Sequence, residues 1–342
     1  MQTLDLNLSA SYDYRLPKSL IASHPINPKE DARLLVYERK SQNITHAKFG
    51  ELFSFLPLNA SVLLNDTKVI KARIFGTKSS GGKIEMLLNS AFANNTFQVY
   101  IKGKVKVNSK LFFDENLQAI VLALYEDGTR VVKFFQNEHE LDAHSLFKIL
   151  NKIGHVPLPP YIKRSDTKED ESDYQTLFAK HEGSVAAPTA SLHFSEKMFE
   201  ELKKRFETEF LTLHVGAGTF KGVESENINE HIMHAEYFSI SDKAKHIIQS
   251  DKKLLCVGTT TTRTVEYFAR TNEQQGFCRL FLNPLNPPKR VNYLLTNFHL
   301  PRSTLIMLVA GFIGLKDTLN IYQIAVKEKY RFFSYGDAML IL

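Results

Sequence analysis

Cysteine is almost absent from the chain: among 342 residues only Cys256 and Cys278 occur. With no C-x-x-C pair and no Cys/His run at zinc-finger spacing, the sequence excludes a disulfide framework and a structural zinc site. H-E-x-x-H is missing as well, and no metal is expected. Long apolar runs are lacking too. The longest, Leu305 to Leu315, is about half of the roughly 20 residues that a membrane span requires. The opening "MQTLDLNLSASYDYRLPKSL" has no basic segment followed by an apolar one, so it does not read as a secretory signal. The expectation is a soluble, cytoplasmic protein, with a monomer as the default and no membrane partner. No internal repeat or low-complexity tract interrupts it.

What is present is ordinary for a globular protein, 43% hydrophobic and 23% charged, enough for a large core. The formal net charge of +6 would favour a polyanionic partner through phosphate contacts and counterion release, but a merely soluble surface is the better reading of the charge by itself.

From Val69 to about Gln136 the pattern differs from its surroundings. Short β-branched or aromatic runs ("VIKARIFG", "KIEMLL", "FQVYI", "AIVLAL", "RVVKFF") alternate with turn signals such as "KSSGGK" and "EDGT". This spacing predicts an antiparallel meander or small barrel. Beyond it the chain alternates strands and helices. Ser195 is a good N-cap for "EKMFEELKKRFE", and Ser241 for "DKAKHIIQ". "KLLCV" runs into the threonine-rich helix "GTTTTRTVEYFAR", and "NYLLTNF" leads to the apolar segment Leu305–Phe312 and an amphipathic helix over about Asp317–Tyr330. Alternation of this kind predicts an α/β fold, a mainly parallel sheet with helices on both faces. The expected division is an α/β domain of residues 1–68 and 153–342 interrupted by an inserted all-β barrel of residues 69–152. The charge run "KRSDTKEDESD" (163–173) reads as a solvated loop.

Several short segments carry candidate chemistry. "HVGAGTF" (214–220) puts two glycines after a strand, where backbone N–H groups can approach a ligand. It is not the dinucleotide fingerprint, since Lys221 occupies the third glycine position. "HIMHAE" invites a metal-site reading, but a hydrogen-bonded histidine pair beside Glu236 is the better one if the segment is helical. "GSVAAPTASLHF" (183–194) has small residues that allow close approach to a planar ligand or to another chain segment. Asn65-Asp66-Thr67 forms a natural Asx turn at the junction of the two expected domains, a common place for a cleft. "NFHLPRST" (297–304) sets an amide, an imidazole, a guanidinium and hydroxyls against an apolar support, and "RFFSYGDAML" ends in a strand. Polar clusters at strand ends are where open α/β sheets bind ligands.

These strings, together with "YDYRLPKSLIASHP", "LLNDTKVIKARIFG", "GGKIEMLL" and "VGTTTTRTVE", resemble in order and register the S-adenosylmethionine:tRNA ribosyltransferase-isomerase family of queuosine biosynthesis. The resemblance covers essentially the whole chain. Ser191 stands where that family usually has glycine, Gly222 where proline and Asn292 where aspartate are usual. The resemblance implies an α/β domain with an inserted β-barrel. It also implies transfer and isomerisation of the ribosyl portion of S-adenosylmethionine onto 7-aminomethyl-7-deazaguanine at the tRNA wobble position. Epoxyqueuosine would form, with release of adenine and methionine. S-adenosylmethionine is then a co-substrate, no prosthetic group is needed, and the anticodon arm of tRNA is the partner. A methyltransferase acting on RNA with S-adenosylmethionine, or a non-catalytic tRNA-binding module, are the alternatives.

Under that resemblance His299 and His214 are candidates for proton transfer, and Asp66 and Glu236 for positioning those rings or the substrate amine. Arg263 and Arg331 suit a carboxylate or an RNA phosphate, while Gly216, Gly218, Thr259 and Thr260 would close around the nucleoside. Arg73, Pro188, Thr189, His193, Thr219, Phe220, His234, Asn297, Tyr335 and Asp337 complete the expected substrate-binding set. Lys78, Lys83, Lys102, Lys104, Lys106 and Lys110 of the insert are a candidate surface for the RNA backbone.

Overall fold

In the computed structural model, residues 4–91, 94–220 and 222–342 are described; Lys221 lies outside them. In chain order the strands are β1 (Arg33–Glu38), β2 (Asn43–Lys48), β3 (Ala60–Asn65), β4 (Thr67–Val69), β5 (Arg73–Lys78) and β6 (Lys83–Ala91). There follow β7 (Phe97–Lys102), β8 (Lys110–Phe112), β9 (Leu117–Leu124), β10 (Thr129–Gln136), β11 (His139–Glu140) and β12 (His181–Ser184). The last six are β13 (Thr208–Leu213), β14 (Glu236–Ile240), β15 (Lys253–Val257), β16 (Gln275–Cys278), β17 (Tyr293–Asn297) and β18 (Ala338–Ile341). The helices are α1 (Leu52–Phe55), α2 (Ala143–Ile153), α3 (Asp170–Asp173), α4 (Glu196–Arg205), α5 (Asp242–Gln249), α6 (Thr259–Thr271), α7 (Thr304–Ile313) and α8 (Leu315–Lys327).

A nine-stranded mixed sheet in the order β16-β14-β13-β3-β15-β17-β18-β1-β2 forms the α/β body. Its middle, β13-β3-β15-β17, is parallel, as the alternation of strands and helices predicts. Antiparallel pairing enters on both sides, through β14 and β16 at one edge and β18 and β2 at the other. All six residues of β3 are buried, which a strand covered on both faces requires. Its side chains alternate. Val62 and Leu64 join Leu255, Leu295 and Leu340 against α4, while Leu63 joins Leu211 and Cys256 against α5 and α6. Leu35, Leu294 and Met339 pack on α7 and α8. Each such aliphatic side chain contributes about 1.5–3 kcal/mol by leaving water.

The second sheet, β11-β10-β7-β6-β5-β8-β9, closes on itself through pairing of β9 with β10. Strands β5 to β10 thus make a six-stranded antiparallel barrel filled by Ile74, Met86, Val99, Leu117, Val121 and Phe134, with α2 over one end. A two-stranded parallel pair, β4 with β12, links barrel and body.

Local signals explain the helix boundaries. Ser195 accepts from the Met198 N–H and Ser241 from the Ala244 N–H, so both N-caps form where the sequence puts them. Gly258, at φ +92°, turns the chain from β15 straight into α6, a backbone conformation open chiefly to glycine. Threonine is a mediocre helix former, but Thr261, Thr262 and Thr264 donate their hydroxyls to carbonyls one turn back, at 2.7, 3.0 and 3.0 Å. Gly314, at φ +81°, separates α7 from α8, which meet at a 115° bend. Among the described residues no single helix is long and apolar enough to cross a membrane.

Two local expectations need correction. The charge run 163–173 is a solvated loop only in part: most of its residues are exposed, but Asp170–Asp173 form the short helix α3, and Asp170 is buried and receives two Nη contacts from Arg164 at 2.5 and 2.7 Å. "HIMHAE" is not helical; the histidines lie in coil leading into β14, with His231 against Phe281 and His234 beside Glu236.

Candidate active site

The parallel strands β13, β3, β15 and β17 all end on the same side of the sheet. Because β13 lies on one side of β3 and β15 on the other, the connections diverge there, which is where α/β sheets open a crevice. A recess of about 690 Å³, its open mouth included, occupies this place. Thr259 and Thr260 come from the start of α6, Thr296 and Asn297 from the end of β17, and His299, Leu300 and Ser303 from the following turn. Ala186 to Ala190 form one wall, and Val215, Thr219 and Phe220 another.

His299 is buried, and burial alone pushes its imidazole down to about 3, so it is neutral at pH 7. Its Nε2 lies 2.9 Å from the Thr296 hydroxyl, and its backbone is held on both sides: the N–H donates to Tyr322 at 3.2 Å, and the carbonyl accepts from the Tyr14 hydroxyl. Among the described residues Nδ1 has no protein partner. Asn297 receives the Thr189 hydroxyl at 3.2 Å and gives its amide to the Phe333 carbonyl at 3.1 Å and to His193 at 3.3 Å. His193 packs on Phe49 behind this wall, and burial brings it too down to about 3. The tips of "NFHLPRST" therefore divide. Asn297, His299 and Ser303 face the recess. Phe298 is in the core, and Arg302 ties the N-terminal segment through Ser9 at 3.1 Å.

Behind the 215–220 wall lies a second polar group. Glu236, 2% exposed, accepts from Arg263 Nη1 and from the Gly216 N–H at 3.0 Å, and His234 Nε2 approaches at 3.2 Å but off the hydrogen-bonding direction. Burial pushes the Glu236 carboxyl up, but Arg263 and then His234 outweigh it and bring it down to about 2. Arg263 Nη2 is buried without a partner among the described residues. Gly218 has no room for a side chain, since a Cβ would meet the His234 ring at 2.8 Å. Asn89 of the barrel accepts from the Ala217 N–H at 2.7 Å, so barrel and body together fix this wall.

Other expected residues are placed elsewhere. His214 bonds the Thr67 hydroxyl at 2.8 Å, and Asp66 accepts from Thr212 at 2.6 Å on a different face, near His181 and Lys203. Burial lowers His214 to about 4 and raises Asp66. Arg73 pairs with Glu85 at 2.7 Å in the barrel. Asp337 accepts the backbone N–H groups of Arg33 and Arg331 at 2.9 and 2.7 Å, and the Arg331 guanidinium bonds the His24 carbonyl. Tyr335 donates to Asp170 at 3.1 Å. Of the three positions that differ from the usual pattern, Asn292 holds the Leu254 N–H at 3.0 Å far from the recess, and Gly222 lies beside Arg302. Ser191 is buried with no partner for its hydroxyl among the described residues. Tyr161, Tyr174 and Phe333, not singled out in the sequence, also line the recess, together with Ser334 from "RFFSYGDAML". Tyr161 and Ser334 share a 2.6 Å hydrogen bond.

A sequence profile for a family described as "Queuosine biosynthesis protein" matches residues 9–341. The S-adenosylmethionine:tRNA ribosyltransferase-isomerase of Aliarcobacter butzleri (strain RM4018) is 58% identical over 339 residues, 99% of this chain and 100% of its own. The enzyme of the same name from Campylobacter jejuni subsp. jejuni serotype O:23/36 (strain 81-176) is 60% identical over 341 residues, 99% of each chain. The crystal structure of an S-adenosylmethionine tRNA ribosyltransferase from Thermotoga maritima superposes with a TM-score of 0.54 at 34% identity, covering 97% of this chain and 100% of that one. With its mixed sheet, its inserted barrel and this match along nearly its full length, the chain belongs to the queuosine biosynthesis protein family.

Proposed function

We propose that the chain is an S-adenosylmethionine:tRNA ribosyltransferase-isomerase. It moves the ribosyl portion of S-adenosylmethionine onto the aminomethyl group of 7-aminomethyl-7-deazaguanine at the tRNA wobble position. Rearrangement to the epoxycyclopentanediol of epoxyqueuosine releases adenine and methionine. The observation that carries this reading is the recess itself: a strand-end crevice with a small-residue wall and aromatic rings suited to a nucleoside, and a neutral buried histidine at its edge.

The sulfonium of S-adenosylmethionine acidifies the neighbouring C5′ hydrogens, so a placed base suffices to remove one. His299 is that group in this reading. Thr296, accepting the Nε2 proton, would leave the Nδ1 lone pair as the acceptor. Ring opening expels adenine, the tRNA amine attacks, and the epoxide closes as methionine departs. Asn297, held by Thr189 and Phe333, would orient the ligand. Glu236, Arg263, His234 and the Gly216–Gly218 turn act together as the support of the 215–220 wall. His214 and Asp66, bonded to Thr67 and Thr212 outside the recess lining, are suited to holding the β3 turn.

This reading treats residues 1–68 and 153–342 as the catalytic body and 69–152 as the barrel. The barrel core draws its buried residues from Ile70 to Leu150, joined by Val185. Lys83, Lys102, Lys104, Lys106 and Lys110 are exposed on the barrel and would meet the tRNA backbone. The protein works as a cytoplasmic monomer. Chromatography of the products with tRNA carrying the aminomethyl base tests the activity. Adenine and methionine are expected; S-adenosylhomocysteine would instead mark a methyltransferase, and no product a binding module.

A further inference from the structure

None of the described residues lining the recess carries a charged side chain at neutral pH. S-adenosylmethionine brings a carboxylate, an ammonium and a sulfonium into it, on the functional reading above. Both guanidiniums nominated by sequence for the carboxylate are engaged outside the lining: Arg263 with Glu236 and the Leu280 carbonyl, Arg331 with the His24 carbonyl. The recess does contain the start of α6. This helix has 13 residues, no side chain caps its N-terminus, and its first turn holds no acidic residue. The Gly258 N–H is taken by the Leu295 carbonyl at 2.8 Å, so the orphan donors of the first turn belong to Thr259 and its successors. A helix start of this kind attracts an anion through its N–H groups and its dipole.

The side chains sharpen the assignment. Asn65, at the end of β3, has its amide fixed by four contacts. Oδ1 accepts from the Thr67 and Leu213 N–H groups at 3.1 and 3.0 Å, and Nδ2 donates to the Leu213 carbonyl at 3.0 Å and to Thr260 Oγ1 at 3.3 Å. Asn65 occupies one of the two Thr260 lone pairs from the protein side, and the hydroxyl proton remains available to donate. A second, independent observation points to a polar ligand. Tyr174, 1% exposed, lines the same recess, and its hydroxyl approaches Ser334 and the Ala187 backbone without completing a hydrogen bond of good geometry to any described residue. A buried hydroxyl without a partner is costly and marks a place where one is missing.

We propose that the N-terminus of α6 is the subsite for the carboxylate of S-adenosylmethionine, with the Thr260 hydroxyl, oriented by Asn65, donating to it and the Tyr174 hydroxyl bonding another polar atom of the same ligand. Asn65 is thereby a positioning residue, acting through Thr260.

The test is calorimetric titration of the full-length protein with S-adenosylmethionine and with its decarboxylated analogue. The wild type should bind the carboxylated ligand roughly tenfold to a hundredfold more tightly, the scale of hydrogen bonds to a charged group plus a helix dipole. Thr260→Val should shrink that ratio several-fold by weakening only S-adenosylmethionine, and Thr260→Ser should restore it. Asn65→Ala should shrink it too; should that variant not fold, Thr260→Val still decides. An unchanged ratio in Thr260→Val, or equal binding of both ligands by the wild type, overturns the subsite alone. Equal binding accompanied by loss of salt-dependent tRNA affinity in Thr260→Val would reassign the helix start to an RNA phosphate and likewise overturn it. A wild type that binds neither ligand, whether alone or with tRNA carrying the aminomethyl base present, overturns the functional reading together with the subsite.

Discussion

Replacing Arg263 by methionine leaves Glu236 as a buried carboxylate whose remaining strong donor is the Gly216 N–H. Glu236 is 2% exposed and Arg263 5% exposed, so water cannot replace the lost partner. Breaking such a pair from one side costs about 3–5 kcal/mol, whereas removing both charges and filling the space is close to neutral. Arg263→Met is therefore expected to lose about 3–5 kcal/mol, and Arg263→Met with Glu236→Leu to recover most of it, less about 1–3 kcal/mol for the Gly216 N–H left without an acceptor. Urea unfolding followed by circular dichroism at neutral pH, with unchanged m, reads this difference. The pair also has a pH signature. The folded Glu236 carboxyl sits near 2, below its ordinary 4.5, so the unfolded chain binds more protons between those values. Its contribution is complete above pH 4.5 and disappears as pH falls toward 2. A loss below about 1 kcal/mol for Arg263→Met, or a double variant no more stable than the single, would refute the reasoning.

Other consequences are equally open to measurement. His193 and His299 are held neutral by burial, each near 3, so the folded state refuses protons that the unfolded chain accepts below pH 6.5. Stability should thus fall between pH 7 and pH 5 by about 2 kcal/mol per histidine, and urea midpoints at the two pH values check it. Thr296→Val should lower kcat roughly tenfold with little change in KM for S-adenosylmethionine, because it frees the tautomer of His299 rather than removing a binding contact. Arg73→Ala should cost about 1 kcal/mol of stability, as expected of an ion pair that keeps only partial solvent contact, and leave S-adenosylmethionine affinity intact. Charge reversal at Lys102, Lys104 and Lys106 should weaken tRNA binding and flatten its salt dependence; unchanged affinity and slope would exclude the barrel face as the RNA contact.

The architecture was readable because it depends on local periodicity. The period-two runs between Val69 and Gln136 pointed to an antiparallel meander or small barrel, of which the barrel forms, and Ser195 and Ser241 announced their helices through N-cap chemistry. Strand-end turns were readable as a class as well, and the recess is lined from four of them. Side-chain direction was not. In "NFHLPRST" the sequence cannot show that Arg302 turns back to Ser9 while His299 faces the recess. Asp337 and Arg331 have the composition of a ligand cluster, yet their carboxylate and guanidinium are bonded to backbone brought from residues 24 and 33. Tyr161 and Tyr174 were hidden for the same reason: their segment is charged, and the burial of Asp170 that draws it inward depends on Arg164 and on the distant Tyr335.

The central claim is that the recess at the ends of β3, β15 and β17 holds S-adenosylmethionine. A crystal structure with S-adenosylmethionine or an unreactive analogue tests it most directly. The account predicts the ligand between the start of α6 and His299, with its carboxylate at Thr260 and its C5′ carbon facing the imidazole. A ligand bound outside this recess, or inside it with the C5′ carbon turned away from His299, would contradict it.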